Sequence, residues 1–349
     1  MTDYSCAPAQ VWNQQACGQT VSWLTQGLDE ASMGKASRTK VDSSRRERIA
    51  AQRAAERRAE QRRRILIAAG SIIAVVAIVV AFIVVKLNSN TQSPSASSAS
   101  NGPTGAALTS VINDVTSVPA STLDKVGDGS GQFTGKIQAI KPPGAPLTAN
   151  GKPEMLYMGA EYCPYCAAER WSMIVALSRF GTFSGLTTIH SAAKNGAGEA
   201  EPYPNTPTWT FFHSTYTSKY LTFTPVELQT NIPDPSSGTY TNLQTPTSAQ
   251  QALLTKYDAP PYVDSSAAGS IPFIDFGNKY VSVGASYNPG VLSGLSWSTI
   301  ASDLHNPNST VAKAVNGTAN YITAAICKMT GNQPASACTA TVQSLQSSL

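Results

Sequence analysis

Two cysteines separated by only two residues are the side chains of this sequence with the clearest capacity for chemistry. Cys163 and Cys166 lie in the stretch YMGAEYCPYCAAERW, residues 157–171. Two thiols at this spacing can exchange a disulfide with another molecule, supply two ligands to a metal ion, or form a disulfide that only stabilises the fold. The secondary structure, the compartment and the neighbouring residues decide among these roles.

The residues on either side of the pair predict a strand followed by a helix. Residues 153–160 form a short apolar run typical of a buried central strand, and residues 166–180 carry apolar side chains at helical spacing. Cys163 would then lie at the first turn of the helix, where free backbone N–H groups and the helix dipole stabilise a thiolate. We therefore predict that Cys163 is the attacking nucleophile and that Cys166 resolves the mixed disulfide.

The segment GAEYCPYC resembles the strand–turn–helix active site of the thioredoxin superfamily, and Cys-Pro-Tyr-Cys is the variant familiar from glutaredoxins. The resemblance implies an α/β, thioredoxin-like fold and a proline in cis that faces the cysteines and contacts the substrate backbone. Pro272 matches this proline, because the residues after it, 273–283, fit a β-hairpin. The pattern over residues 105–349 also resembles the family of membrane-anchored thioredoxin-like proteins called domain of unknown function 929.

The sequence departs from the thioredoxin pattern at two places. A buried carboxylate is expected six residues before the first cysteine, and Tyr157 stands there instead. Glu161 and Glu169 are the nearest carboxylates, and each could either transfer protons or be a solvated surface residue. A long insertion, about residues 193–268, precedes the proline loop, and it either selects substrates or is a flap without a role in catalysis.

Two further cysteines, Cys327 and Cys338, follow late in the chain. They predict a structural disulfide at the C-terminal helix, which suits an oxidising compartment, and a second redox pair is the alternative. A structural zinc site is less favoured, because it needs four ligands in two close pairs and the three histidines of the chain show no paired spacing. We predict neither a metal nor a cofactor.

The N-terminal part of the sequence predicts a membrane anchor. Residues 1–34 contain no Lys or Arg and are expected to be poorly structured, whereas residues 35–64 contain twelve bases and four acids and predict a basic cytoplasmic helix. Residues 65–85 carry no charge and are long enough for a helix across the roughly 30 Å bilayer core. Residues 86–104 predict a Ser/Asn/Pro-rich linker.

The basic flank indicates how the protein is oriented. Because an excess of Arg and Lys remains in the cytoplasm, the N-terminus is expected inside and the domain at 105–349 outside the cell membrane. The arginines abut the predicted span and lack interleaved aromatic residues, so they favour the lipid bilayer over nucleic acid as their partner. Charged residues are only 13% of the chain, against roughly 25% in typical soluble proteins, which suits an exported domain.

Together these features predict a single-pass, extracytoplasmic thiol-disulfide oxidoreductase that acts on the thiols or disulfides of exported proteins. We favour the oxidase or isomerase direction over the reductase direction, with a membrane redox partner that resets the Cys pair. The alternative is a non-catalytic thioredoxin-like binding or chaperone module whose two cysteines form a static disulfide.

Overall fold

A six-stranded mixed sheet lies at the centre of the computed structural model, which describes residues 102–349. In chain order the strands are β1 (Ile137–Ala139), β2 (Thr148–Ala149), β3 (Lys152–Gly159), β4 (Gly181–Ser184), β5 (Thr187–His190), β6 (Pro207–Thr210), β7 (Thr215–Ser218), β8 (Thr222–Glu227), β9 (Gln229–Asp234), β10 (Thr239–Asn242), β11 (Phe273–Phe276) and β12 (Tyr280–Val283). The α-helices are α1 (Gly105–Thr116), α2 (Ala120–Val126), α3 (Pro164–Ser178), α4 (Ser248–Tyr257), α5 (Trp297–Asp303), α6 (Thr310–Met329) and α7 (Ala340–Leu345). The described residues therefore have the mixed α/β class that the sequence predicts.

The sheet is built around β3. On one side β8 runs parallel to β3, and on the other side β11 runs antiparallel to it, followed by β12 and then β1. The short β2 pairs with the first residues of β3. The remaining strands form three two-stranded sheets, β4 with β7, β5 with β6 and β9 with β10.

The side chains of β3 are buried on both faces of the sheet. Successive residues of a strand point to opposite faces, so Met155 and Tyr157 join the larger core with α3 and α6, whereas Leu156 and Met158 join a smaller core beside α4. Burial on both faces explains why the sequence of β3 is an apolar run rather than an alternating pattern. The end of this strand delivers the chain to Cys163.

Helix α3 is buried along most of its length and packs against α6 and β6. It begins at Pro164, whose missing N–H leaves no hydrogen bond unmade at this position, and Cys163 is its N-cap residue. The Ser172 hydroxyl donates to the Val315 carbonyl at 2.9 Å and so joins α3 to α6. The sequence predicted this helix, and its observed start differs by two residues from the predicted one.

The prediction that residues 193–268 form an insertion is wrong for part of this segment, because β8 and α4 belong to the core of the fold. Its strand β8 pairs with β3 over six residues, and its helix α4 packs Tyr257 against Leu156 and Phe273 of the sheet. Residues 219–224 are strand-like in the sequence, but Pro225 interrupts the pattern, because proline is uncommon in a sheet except on an edge strand. In the six-stranded sheet β8 pairs only with β3, so it tolerates the proline.

The Cys327–Cys338 disulfide is present, as the sequence predicts. It joins α6 to the segment that precedes α7, and both residues are buried. The predicted segments at 1–34, 35–64 and 65–85, and most of the predicted linker, lie outside the described residues. Between residues 102 and 349, the structure has no helix that is both long and apolar enough to cross a bilayer.

Candidate active site

The two cysteines lie where β3 passes into α3. Cys163 has extended backbone angles, φ −73° and ψ 122°, and its sulfur accepts a hydrogen bond from the Cys166 N–H at 3.2 Å. A Ser, Thr, Asn or Asp side chain usually satisfies an N–H at such an N-cap. Here a sulfur has that role, and a negative charge on the sulfur strengthens the bond.

The loop that precedes β11 faces the cysteines. The Ile271 carbonyl oxygen lies 3.8 Å from the Cys163 sulfur, and the Ile271–Pro272 peptide bond is cis. Pro272 itself is buried, and its carbonyl accepts from the Gly284 N–H at 2.8 Å. The structure thus brings Cys163, Cys166 and the Pro272 loop together from positions more than a hundred residues apart. The contact of Pro272 with a substrate backbone stays a prediction.

Neither sulfur is freely accessible. Cys163 has an exposed fraction of 4% and Cys166 of 0%, and both are free thiols that form a small buried cluster with Ala160. Tyr162 and Ile271 pack against this cluster. A molecule that reacts with Cys163 therefore has to displace neighbouring side chains first.

The segment at 193–268 supplies part of the surroundings of the motif. The Tyr162 ring stacks on the Tyr240 ring with centroids 4.0 Å apart, and the Tyr240 hydroxyl donates to a carboxylate oxygen of Glu201. Nearby, Tyr165, which is 38% exposed, contacts Tyr203 edge to face. This segment is therefore placed to affect which molecules reach the cysteines.

A buried ion pair lies one helical turn beyond Cys166, and sequence reasoning missed it. Arg170 donates from Nε and Nη2 to the two carboxylate oxygens of Glu227 at 2.9 and 2.6 Å, with both side chains fully buried. Its Nη2 also donates to the Ala160 carbonyl at 2.8 Å. The signal in the sequence was an arginine within a helix whose later residues are mostly apolar and a glutamate at the end of a strand, since such residues are seldom buried unless paired.

This environment makes the two thiols unequal. Burial raises the pKa of the Cys163 thiol, but hydrogen bonds from Cys166 and the positive charge of Arg170 outweigh it, and the net pKa is lowered. The pKa of Cys166 is raised well above its usual value, chiefly by burial and also by its hydrogen bond with Cys163. The pair therefore favours a thiolate at Cys163 and a thiol at Cys166, whereas their roles as attacking and resolving cysteine stay predictions.

Tyr157 lies in β3 beneath the motif and is fully buried. The guanidinium of Arg170 is 5.9 Å from the centre of its ring, and Phe211 contacts the ring edge to face. Burial is the main reason that the pKa of Tyr157 is raised well above its usual value, so the phenol remains protonated. Among the described residues its hydroxyl has no hydrogen-bond partner.

The two carboxylates that the sequence singled out are both buried, so the alternative of a solvated surface role is wrong. Glu161 accepts from the Thr210 hydroxyl at 2.5 Å. Glu169 accepts from the N–H and the hydroxyl of Ser286, each at 2.9 Å, and burial raises its pKa to about 7. A role in proton transfer for either residue stays a prediction.

Comparisons with known proteins identify a family but give no activity. The family model described as Domain of unknown function (DUF929) matches residues 138–328, which is more than half of the chain. No curated protein and no solved structure matches. Of the residues that the structure describes, no group of three His, Cys, Asp or Glu side chains is arranged to hold a metal ion.

Proposed function

We propose that the chain, which belongs to the family described as Domain of unknown function (DUF929), is a thiol-disulfide oxidoreductase with a thioredoxin-like fold. The order β8–β3–β11–β12 supports this fold, with β8 parallel and β11 antiparallel to the strand that leads into the cysteines. So does the position of the cis proline directly before β11.

One observation carries the proposal. The Cys163 sulfur caps α3, receives the Cys166 N–H, and lies in the field of the buried Arg170, which together lower its pKa. A lowered pKa increases the fraction of Cys163 present as thiolate, which is the nucleophile that thiol–disulfide exchange requires. The neighbouring Cys166, kept as a thiol, is the group that completes the exchange.

The oxidase direction follows from the same electrostatics. In the oxidised protein a substrate thiolate attacks the Cys163–Cys166 disulfide, forms a mixed disulfide with Cys163 and releases the Cys166 sulfur as a thiolate, which takes up a proton. A second substrate thiolate then attacks the mixed disulfide, and the substrate leaves with a disulfide and the protein as a dithiol. Stabilising the Cys163 thiolate favours this reduced form, so the protein oxidises its partner.

We place this reaction outside the cell membrane, on exported proteins. The uncharged run at 65–85 behind a basic flank supports this location, and the Cys327–Cys338 disulfide suits an oxidising compartment. Each turnover leaves two electrons on the dithiol. A membrane partner, such as a quinone-linked reoxidant, accepts them and restores the Cys163–Cys166 disulfide. The cytoplasmic arginines would hold the anchor near anionic lipid headgroups.

The burial of Cys163 favours a second candidate. A cysteine with an exposed fraction of only 4% is also what a non-catalytic binding or chaperone module with a static disulfide would have. The oxidoreductase therefore requires that the residues around Tyr162 and Ile271 move when a partner docks.

Trapping distinguishes the two candidates. In the full-length protein Cys166→Ala leaves a mixed disulfide at Cys163 unresolved, so exported proteins should accumulate as disulfide-linked adducts that reductant releases. The matched control, Cys163→Ala, should give none, because Cys166 is buried and its pKa is raised. Absence of adducts from Cys166→Ala would favour the binding module. A redox titration then gives the direction of the exchange, since strongly oxidising thiol-disulfide proteins have potentials of about −120 mV and reducing ones of about −270 mV.

A further inference from the structure

The hydroxyl of Tyr157 is a buried polar group without a hydrogen-bond partner among the described residues. Its side chain is fully buried, and phenylalanine has the same ring without the hydroxyl. Leaving a buried hydroxyl unpaired destabilises a fold, and such groups are few in native proteins. The hydroxyl therefore calls for an explanation other than packing.

Gly159 shows where this hydroxyl points. A Cβ atom added to Gly159 would overlap the Tyr157 hydroxyl and lie 3.1 Å from the Cys166 sulfur. The hydroxyl and the sulfur thus both border the small space that glycine leaves open. Because Tyr157 and Gly159 are two residues apart in β3, they share the face of the sheet on which α3 packs.

The charged and titratable groups around the phenol come from three elements. Arg170 of α3 lies over the Tyr157 ring, and Glu227 of β8 is paired with that arginine. Cys163 and Cys166 lie at the start of α3 and also affect the pKa of the phenol. The Nη1 atom of Arg170 also has no hydrogen-bond partner in the described part of the chain. Two unused donors, a phenol and a guanidinium nitrogen, therefore lie on the inner side of the cysteine pair.

We propose that Tyr157 donates its hydroxyl hydrogen to the sulfur of Cys166 when that sulfur becomes a thiolate. The inference rests on the proposed function and identifies the group that supports its second thiol. Burial raises the pKa of Cys166 well above its usual value even though the charge of Arg170 and a backbone hydrogen bond at Ala160 lower it, so a further donor would stabilise the buried thiolate. Because burial keeps the phenol protonated, Tyr157 acts as a hydrogen-bond donor throughout and not as a base.

The step in which Cys166 attacks shows what the donor does. In a mixed disulfide Cys163–S–S–R, Cys166 loses its proton and its sulfur attacks the Cys163 sulfur. A Cys163–Cys166 bond forms, the bond to R breaks, and R leaves as a thiolate that takes up the proton from Cys166. Tyr157 stabilises the Cys166 thiolate before the attack, and in the reverse, oxidising direction it stabilises the same sulfur as the leaving group.

Dithiobis-nitrobenzoate is an aromatic disulfide that releases a coloured thiolate when a thiolate attacks it. With the reduced full-length protein it reports the attack by Cys163 and the later attack by Cys166. Attack by Cys163 releases the first thiolate, and attack by Cys166 on the mixed disulfide releases the second. We expect Tyr157→Phe to slow the second phase by on the order of tenfold and to leave the first unchanged, because a hydrogen bond to a charged group is lost. The pH midpoint of the second phase should also rise.

Tyr287→Phe is the matched control. Its phenol is equally buried, but its hydroxyl donates to the Ala168 carbonyl at 2.7 Å. This variant should lose stability and keep both phases, whereas Tyr157→Phe should lose no stability and slow the second phase. A merely structural role for Tyr157 would not give this opposite pattern. A ring-fluorinated tyrosine at position 157, a stronger donor of the same shape, should accelerate the second phase.

The outcomes separate the inference from the proposed function. If the wild type gives no first phase even at high pH, Cys163 is not a nucleophile, and the proposed function fails together with the inference. A change of up to about twofold in the rate of the second phase is within the error expected for an unrelated substitution. If both phases occur and neither Tyr157→Phe nor the fluorinated tyrosine changes the second rate by more than this, the inference alone is overturned.

Discussion

The buried pair Arg170–Glu227 predicts that two single substitutions change the reactivity of Cys163 in opposite directions while both destabilise the protein. Arg170→Met removes the positive charge that lowers the pKa of Cys163, so this pKa should rise. Glu227→Gln leaves that positive charge uncompensated, so the pKa of Cys163 should fall further. A general loosening of the fold would not change the pKa in opposite directions.

The size of the effect on stability follows from the geometry. Both side chains are fully buried, and two charge-assisted hydrogen bonds of 2.9 and 2.6 Å join them. Removing one member of such a pair leaves the other charge buried and alone, which lowers the free energy of unfolding by about 3–5 kcal/mol. The double variant should be less destabilised than the sum of the two singles, because it leaves neither charge unpaired.

Denaturant unfolding gives the stabilities, and the pH dependence of Cys163 alkylation gives the pKa. The matched control is Arg179→Met, at the far end of α3, where the arginine donates to the Ala337 carbonyl at 2.7 Å. It should reduce stability and leave the pKa of Cys163 unchanged. If Arg170→Met and Glu227→Gln shift this pKa in the same direction, or shift it no more than the control does, the electrostatic account of the site is refuted.

Three further predictions concern the disulfide, a buried carboxylate and access to the site. Replacing Cys327 and Cys338 by alanine should lower the free energy of unfolding by about 2–4 kcal/mol and leave the alkylation rate of the active-site thiols unchanged. Burial raises the pKa of Glu169 to about 7, so the unfolded chain ionises at lower pH than the folded protein, and the wild type should lose stability as the pH rises from about 4.5 to 7. Glu169→Gln cannot ionise, so this loss should be smaller in the variant. Tyr240→Ala removes the ring on which Tyr162 stacks and should speed alkylation of Cys163.

Each of these has an outcome that would contradict it. Loss of turnover without Cys327 and Cys338 would indicate a second redox pair instead of a structural disulfide. An unchanged pH dependence of stability in Glu169→Gln, measured by denaturant unfolding at several pH values, would show that this carboxyl is ionised at little cost. The control for access is Tyr321→Ala, which removes a similar stack, on Phe133 at 3.9 Å, and should leave the alkylation rate unchanged.

The elements that the sequence predicted well are those whose signal is local. The apolar run of β3, the helix after the cysteines and the hairpin after Pro272 each carry their pattern within a few residues. The position of β8 beside β3 depends on pairing between segments about seventy residues apart, and Pro225 argued against it locally. Long-range pairing of this kind leaves little trace in a single sequence.

The site shows the same division. The place of Cys163 at a helix start was predictable, because the apolar run before it and the helical pattern after it are both local. Pairing of Arg170 with Glu227, fifty-seven residues later, was not predictable, since charged residues are exposed unless a partner is known. The burial of Glu161 and Glu169 was missed for that reason as well.

The arrangement of charges also accounts for how one helix end can support two different sulfurs. The N–H groups of the first turn reach Cys163 at the cap, whereas Cys166 lies within the turn and contributes its own N–H to Cys163 instead. A charge on Cys166 is stabilised by a backbone hydrogen bond at Ala160 and by the positive charge of Arg170, and in the proposed step also by Tyr157. Glu227 holds the guanidinium in place and offsets part of its charge, so the field at Cys166 is limited. In the proposed reaction burial, together with this limited field, keeps Cys166 a thiol until Cys163 has reacted, which separates attack from resolution.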